Sequence, residues 1–317
     1  MTIKTSHTGI ADPRFEYHRF CGFCRGRCER IESQSSYMLI TNIWNERRSI
    51  ERAFQRISRQ TKKPRIWLWI DDGSTDDSAR LIQRLSHSLS GVKVWLEICP
   101  RKQVGNLDTI GRAYNRTIPR LREKIDRERI DYVAIMDVDS DPCPNYCARL
   151  TCLLDANPDV GAAAGIAVGE IGKRRVGLPM GSGKFVRWSI VRGIERFWDI
   201  APDTLLNIKT AARGYQLRTW PVPMRMDKPT LSLSSRGVFR QGRLSYYVGR
   251  PFWGVLFRAL RRLVIMQHGT QMLRGYLYER SRKIWRFSDP DVKRFYAAGT
   301  NPVSALLDML RYAAVHD

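Results

Sequence analysis

Residues 131–141 read Asp-Tyr-Val-Ala-Ile-Met-Asp-Val-Asp-Ser-Asp, and this stretch decides the predicted fold. Five apolar residues in a row, Tyr132 to Met136, end in three carboxylates at Asp137, Asp139 and Asp141. A short apolar run without polar alternation is typical of a strand buried on both faces. The acids then lie at the carboxyl end of that strand, where open α/β sheets bind their ligands.

The acids Asp137 and Asp139 have two interpretations at this point. With a turn between them, both can reach one hard cation that also holds phosphate oxygens, as Mg²⁺ does. The alternative is a polar loop after a core strand, with an aspartate that caps the next helix. This stretch alone does not separate the two.

Strand and helix patterns alternate on both sides of this stretch. Predicted strands cover Tyr37–Ile43, Arg65–Ile70, Val92–Ile98, Tyr132–Met136 and Val160–Ile166. Helical patterns begin near Asn45, Ser74 and Thr109 and fill the intervals between the first four strands. Such βαβ units predict a mostly parallel sheet flanked by helices.

Polar motifs accompany these elements in a fixed order. They read Asn42-Ile-Trp-Asn-Glu46, Ile70-Asp-Asp-Gly-Ser-Thr-Asp76, Gly111-Arg-Ala-Tyr-Asn115 and Asp137-Val-Asp139. In order and spacing the set resembles the family 2 glycosyltransferases of the GT-A fold, over roughly residues 36–227. The resemblance implies a GT-A, Rossmann-like α/β domain and an inverting transferase that takes its sugar from a nucleotide-diphosphate donor.

The resemblance assigns nucleotide contacts to the first two motifs, at Asn42, Trp44, Glu46 and Asp72. In the family the position of Asp72 contacts the base, and that of Glu46 lies near the nucleoside. A carboxylate at a strand end can accept hydrogen bonds from the edge of a base, which a cation could not do. The alternative role for Asp72 is to cap the following helix.

The resemblance also assigns the third carboxylate motif to the donor. Asp137 and Asp139 would hold the nucleotide ribose and a divalent metal, Mg²⁺ or Mn²⁺. Such a metal neutralises the diphosphate as it leaves.

A further carboxylate motif follows at Trp198-Asp-Ile-Ala-Pro-Asp203. Proline is poorly tolerated inside a helix, so Pro202 predicts a helix that starts near Asp203. The resemblance makes Asp203 the general base, and Ala211-Ala-Arg-Gly-Tyr215 matches the helix end that follows it in the family. Asp199 is the alternative base, and a helix cap is the alternative role for Asp203.

The glycine-rich segment Gly177-Leu-Pro-Met-Gly-Ser-Gly-Lys184 is similar to a phosphate-binding loop. It departs from that motif twice, because Leu178 occupies the position of the first glycine and Phe185 that of the Ser or Thr after the lysine. We interpret it instead as a loop on the acceptor side of the site.

Three regions are predicted along the 317 residues. Residues 1–35 form an appendage with His18, Cys21, Cys24 and Cys28, which could bind zinc or remain free thiols. Residues 36–235 form the glycosyltransferase domain, and residues 236–317 form a basic helical extension. That extension carries 15 Lys and Arg residues against 5 Asp and Glu residues.

The extension predicts contact with an anionic membrane surface. Phe252, Leu256, Leu260 and Leu263 recur at helical spacing, with arginines elsewhere on the helix. The aromatic residues Trp253, Phe257, Tyr276 and Trp285 suit the headgroup zone of a bilayer. The alternative is that the apolar stripe packs on the sheet domain and the arginines are solvated.

Composition limits the function classes. With 43% hydrophobic residues the chain is predicted to fold, and its seven cysteines suggest a reducing, cytoplasmic setting without a disulfide framework. No signal peptide or membrane span is predicted. The net charge of +23 favours polyanions, including nucleic acid, but acids at successive strand ends would repel a phosphate backbone unless a metal intervened.

The partners expected from these features are a nucleotide-sugar donor and a glycan or lipid-linked acceptor. Peripheral attachment to the cytoplasmic face of the membrane would bring the enzyme to such an acceptor. Two alternatives remain at this point, a nucleic-acid-binding protein and a glycosyltransferase-like scaffold without catalysis.

Overall fold

The computed structural model describes residues 33–100, 110–168, 179–199, 202–227, 234–264, 268–283 and 286–298. The His18, Cys21, Cys24 and Cys28 group lies outside the described residues, as does Trp285. The predicted zinc site and the role of Trp285 at a membrane therefore stay predictions.

Eight strands form one mixed sheet. They are β1 (Tyr37–Ile43), β2 (Ile66–Asp71), β3 (Lys93–Ile98), β4 (Tyr132–Ile135), β5 (Ser140–Pro142), β6 (Val160–Val168), β7 (Lys184–Arg187) and β8 (Gln216–Met226). Their order across the sheet is β3-β2-β1-β4-β7-β6-β8-β5. The first four strands of this order pair in parallel, as predicted, whereas β7 and β5 run antiparallel to their neighbours.

Helices flank the sheet and continue after its last strand. They are α1 (Arg47–Ser58), α2 (Ser78–Leu85), α3 (Ile110–Arg127), α4 (Tyr146–Ala156), α5 (Trp188–Arg192), α6 (Pro202–Ala212), α7 (Ser235–Tyr247), α8 (Phe252–Val264), α9 (Gly269–Ser281) and α10 (Pro290–Ala298). A 3₁₀ turn, Ser86–Ser88, follows α2.

The side chains of β2 show why this sheet is buried on both faces. Ile66, Leu68 and Ile70 join the core on one face, while Trp67 and Trp69 join the core on the other. Alternate residues of a strand point to opposite faces, so an unbroken apolar run fills both layers. The strand predicted at Tyr132–Met136 is buried on both faces in the same way, as expected.

The helices after the sheet form a compact unit of their own. Gly242 in α7 and Gly275 in α9 lack a Cβ and so let these two helices approach closely: a Cβ at Gly242 would lie 2.0 Å from the carbonyl oxygen of Met272. Val255 and Ala259 of α8 complete this second core and are fully buried.

This helical unit also shares the main core of the sheet domain. Tyr247, Val248 and Phe287 belong to the same apolar cluster as Trp198, and the rings of Trp198 and Phe287 lie 5.8 Å apart. Lys209 of α6 adds ion pairs to two acids at the start of α10. The C-terminal helices therefore complete the core beside α6 instead of trailing from it.

Candidate active site

The loops after β1 and β2 are joined by hydrogen bonds. The main-chain N–H of Thr75 donates to Asn45 Oδ1 at 2.7 Å, and the N–H of Asn45 donates to Ser74 Oγ at 2.9 Å. Asn45 has a φ of 55°, a left-handed conformation that asparagine tolerates better than most residues. These bonds hold Glu46 and Asp72, one on each loop, at the carboxyl edge of the sheet.

The two aspartates after β2 have different surroundings. Asp71 is buried and its Oδ1 accepts a 2.8 Å hydrogen bond from the N–H of Ser74, which makes it a turn-forming residue. Asp72 is also buried, and its charge contributes, after burial, to the raised pKa of Cys99 at the end of β3. Asp72 therefore lies next to the neighbouring strand end, where the resemblance expects a nucleotide base.

Asn42, near the end of β1, contacts the helix that carries the Gly-x-Ala-x-Asn motif. Its side chain is hydrogen-bonded to the hydroxyl of Tyr114. Its Oδ1 atom is buried and has no hydrogen-bond partner among the residues that the structure describes. A buried carbonyl oxygen without a partner is costly, and a donor group on a bound ligand would relieve that cost.

Tyr114 was not predicted as a site residue, although it lies in the motif Gly111-Arg-Ala-Tyr-Asn115. Burial raises its pKa, and the charges of Asp137 and Asp203 raise it further. Tyr114 thus marks the position where the acid pair and the proposed base come together.

Asp137 is the centre of a group of carboxylates. Part of Asp137 is exposed to solvent, but the surrounding protein desolvates its carboxylate, and this desolvation, followed by the negative charges of Asp139 and Asp203, raises the pKa of Asp137 to about 6. Glu46 adds a smaller effect in the same direction, and a hydrogen bond with Ser182 opposes it. Four acids from three separate parts of the sequence therefore share one electrostatic environment.

The third acid of the opening stretch has a different role. Asp141 accepts ion pairs from Arg56 at 3.3 Å and from Arg225 at 3.0 Å. Arg56 also pairs with Asp227 at 2.8 Å. Asp141 is thus part of a charge network that ties α1 to β5 and β8.

The glycine-rich segment joins the acid pair to the proposed base. Ser182 Oγ accepts a 2.9 Å hydrogen bond from the N–H of Asp137 and lies 2.5 Å from Ser140 Oγ. Gly181 lies against Asp203, because a Cβ added there would be 2.8 Å from Asp203 Oδ2. Lys184 Nζ donates a 2.6 Å hydrogen bond to the carbonyl oxygen of Asp203.

Lys184 is fully buried, and burial lowers its pKa to about 8. The sequence motif in this segment drew attention to its glycines and did not predict a role for Lys184 or Ser182. A Gly-Ser-Gly-Lys run beside a strand was the available signal, but only the three-dimensional contacts show what the polar side chains touch.

Asp203 and Asp199 differ in the contacts that they make with the rest of the protein. Helix α6 begins at Pro202, as predicted, so Asp203 lies in its first turn and is half-buried. The carboxylate of Asp199 pairs with Arg112 at 3.2 Å, and its main-chain N–H donates to the hydroxyl of Tyr247. Asp203 therefore lies on the side of Asp137 and Asp139, whereas Asp199 contacts α3.

The acid pair can be tested for fit to a divalent cation. Within the ranges that the structure describes, no group of three or more acid, His or Cys side chains is arranged around one cation position. Asp137 and Asp139 nevertheless offer hard oxygen donors, and their mutual repulsion contributes to the raised pKa of Asp137. A Mg²⁺ or Mn²⁺ ion would relieve that repulsion, so the residues present fit the metal.

Comparison with known proteins gives one family and several similar folds. The family model described as Glycosyl transferase family 2 matches residues 39–214. The mannosyltransferase PcManGT from Pyrobaculum calidifontis, solved with GDP-Man and Mn²⁺, is 15% identical, with a TM-score of 0.52 over 96% of this chain and 83% of that one.

Two further solved structures resemble the chain more weakly. Residues 1–349 of S. aureus TarS, with UDP-GlcNAc, give a TM-score of 0.48 at 12% identity, over 66% of this chain and 65% of that one. Glucosyl-3-phosphoglycerate synthase from Mycobacterium tuberculosis gives a TM-score of 0.47 at 18% identity, over 67% and 79%. No protein of curated function matches the chain significantly.

Proposed function

Since the chain belongs to glycosyl transferase family 2, we propose that it moves a sugar from a nucleotide-diphosphate donor to an acceptor hydroxyl or phosphate, with inversion. One observation carries the proposal: the charges of Asp139, Asp203 and Glu46 all act on Asp137, at the carboxyl edge of the sheet. This arrangement supports a proposed metal-binding pair, Asp137 and Asp139, next to a proposed base, Asp203.

The nucleotide part of the donor is proposed to bind at the ends of β1 and β2. Asp72 would accept hydrogen bonds from the base, and Glu46 would lie beside the nucleoside. Trp44 is 44% exposed and could cover a base by stacking. The buried Asn42 Oδ1, which lacks a partner within the described part of the chain, would accept a hydrogen bond from the ligand. The GDP-Man bound by PcManGT, which has a similar fold, supports this class of donor.

Asp137 and Asp139 are proposed to hold the ribose and a divalent metal. When bound, Mg²⁺ or Mn²⁺ would neutralise the negative charge that develops on the leaving diphosphate. The Mn²⁺ in the PcManGT structure supports a metal of this kind.

Asp203 is proposed to act as the general base. It would take the proton of an acceptor hydroxyl while that oxygen attacks the anomeric carbon from the face opposite the diphosphate. The bond between the sugar and the diphosphate breaks as the new bond forms, so a single displacement inverts the anomeric centre. Gly181 and Lys184 hold Asp203 from the side of β7.

The proposed acceptor is a glycan, in particular a lipid-linked saccharide, in glycan or polysaccharide biosynthesis. The basic C-terminal helices support a peripheral position at the cytoplasmic membrane face, since they carry a large share of the net charge of +23. No helix within the described part of the chain is both long and apolar enough to cross a bilayer.

The test is a thermal-shift screen of UDP, GDP and dTDP, each with and without Mn²⁺, followed by turnover with the matching nucleotide sugars. We expect stabilisation by one nucleotide that depends on Mn²⁺, and release of that nucleotide when an acceptor is present. Donor binding without turnover would favour the non-catalytic scaffold. Tight oligonucleotide binding that is lost at high salt, without any nucleotide effect, would favour the nucleic-acid-binding alternative.

A further inference from the structure

Helix α8 has two apolar faces, and the structure covers one of them. Val255 and Ala259 are fully buried against α7 and α9. The inner contact is tight, because a Cβ at Gly269 in α9 would lie 2.1 Å from the carbonyl oxygen of Ala259. The inner face of α8 therefore has no room for a further partner.

The opposite face of α8 is apolar and exposed. Trp253 is 65% exposed, Leu260 42% and Leu263 43%, and the partly exposed Leu256 and Phe257 lie between them. These five residues recur every three or four positions, so they share one face of the helix. We call them the outer α8 face.

The exposure of these leucines favours the membrane interpretation of the apolar stripe over packing on the sheet domain. Leu256, Leu260 and Leu263 are absent from the buried core clusters of the described residues, whereas Phe252 packs against the helical core and Leu263 lies beside Gly269 at the start of α9. Tyr276, expected among the headgroup residues, is instead buried against Tyr246 with ring centroids 5.4 Å apart. The large exposed aromatic residues described in the helical unit are Trp253 of α8 and Tyr278 of α9.

The charge beside the outer α8 face has one sign. Arg258 and Arg261 are exposed on the same helix, and α8 carries no acidic residue. Large apolar side chains next to arginines are typical of helices that lie in the interface of an anionic bilayer. A protein partner of ordinary surface composition would not require this pairing of Trp and Leu with arginine alone.

We propose that the outer α8 face docks on an anionic lipid bilayer. Trp253, Leu260 and Leu263 enter the headgroup boundary, and Arg258 and Arg261 contact lipid phosphates. This docking does not depend on the transferase chemistry. Its purpose, delivery of a lipid-linked acceptor, rests on the proposed function.

The position of the helical unit suits that purpose. Tyr247, at the end of α7, accepts a hydrogen bond from the N–H of Asp199, four residues before the proposed base. Lys209 of α6 pairs with Asp289 at 2.7 Å and Asp291 at 2.8 Å. The unit that would touch the membrane is thus anchored on the helix that carries Asp203.

Co-sedimentation with phosphatidylcholine vesicles, with and without phosphatidylglycerol, tests the surface. The full chain should bind the anionic vesicles in preference and should be released only in part at high salt, because salt screens charge but not apolar burial. The triple variant Trp253→Ser, Leu260→Ser, Leu263→Ser should lose the salt-resistant fraction, with a drop in partitioning of about tenfold or more.

The contribution of charge to vesicle binding is tested with the substitutions Arg258→Gln and Arg261→Gln. Each should reduce binding to anionic vesicles at low salt by about fivefold, with little change on neutral ones. Ile98→Ser is the matched control, because Ile98 is 60% exposed but lies at the end of β3. It should bind vesicles like the unchanged chain.

Unchanged nucleotide-dependent thermal stabilisation of the triple variant shows that it is folded, and separates a failure of docking from a failure of the proposed function. Equal binding by the triple variant and the full chain, or none by the full chain to anionic vesicles, overturns the proposal. Vesicle binding that appears only when residues 299–317 are removed assigns the face to that segment. A dimer that the triple substitution dissociates assigns it to a second copy.

Discussion

The side-chain ammonium of Lys184 donates a hydrogen bond of 2.6 Å to the main-chain carbonyl oxygen of Asp203. Lys184 opens β7, which pairs with β4, the strand before the acid pair. Asp203 lies in the first turn of α6. This one bond therefore links the strand behind Asp137 and Asp139 to the helix that carries the proposed base, across 19 residues of sequence.

Lys184 should make stability depend on alkaline pH. Burial lowers its pKa in the folded state from 10.5 to about 8, so between these values the unfolded chain binds more protons. The free energy of unfolding then rises with pH across this window, by roughly 3 kcal/mol from this group. In Lys184→Met that rise should disappear, as measured by urea unfolding at pH 7.5 to about 10.5.

Lys63→Met, at an exposed lysine, is the control and should keep the slope of the unchanged chain. If Lys184→Met and the unchanged chain show the same slope, burial does not lower the pKa of Lys184 in the folded protein.

Asp139→Ala should abolish the stabilisation that nucleoside diphosphate gives in the presence of Mn²⁺. The reason is that one of two proposed metal ligands is removed, while the fold keeps its core. Thermal shifts with and without Mn²⁺ measure the loss. The control is Asp159→Ala, an exposed acid at the opposite, amino end of β6. A metal-dependent shift that survives in Asp139→Ala would refute the metal assignment.

Asp203→Asn should reduce transfer by about 10²–10⁴-fold, the usual contribution of a general base. Donor affinity should change little, because the amide keeps the size of the carboxylate. Initial rates at saturating donor, together with a binding titration, separate the two effects. Asp199→Asn is the comparison; should it alone carry the loss, the base has been assigned to the wrong carboxylate.

Gly181→Ala should slow transfer solely because it displaces Asp203. The added Cβ would lie 2.8 Å from Asp203 Oδ2, so the carboxylate has to move. A misplacement approaching 1 Å can cost about two orders of magnitude in rate. We expect a loss of about tenfold to a hundredfold in kcat, with the metal-dependent nucleotide shift retained. Full activity in this variant would show that Asp203 is not held against Gly181 during the reaction.

Local sequence was sufficient for the parallel half of the sheet and its carboxylate edge. Apolar runs such as Trp67 to Ile70 are buried on both faces because alternate side chains fill two layers, and this pattern is readable without a structure. Motifs placed directly after such runs must reach the same edge when the strands are parallel. The positions of Asp72, Asp137 and Asp139 follow from that rule.

The tertiary structure alone decided how residues far apart in the chain are combined. Asp139 and Asp141 are two positions apart in sequence, yet one lies beside Asp137 and the other pairs with Arg56 and Arg225. The antiparallel insertion of β7 brings Ser182 and Lys184 beside the acids and Asp203. Helix α8 exposes its leucines because Val255 and Ala259 take the inner face. Periodicity reports which faces are apolar, whereas the partner of each face depends on long-range packing that no local pattern encodes.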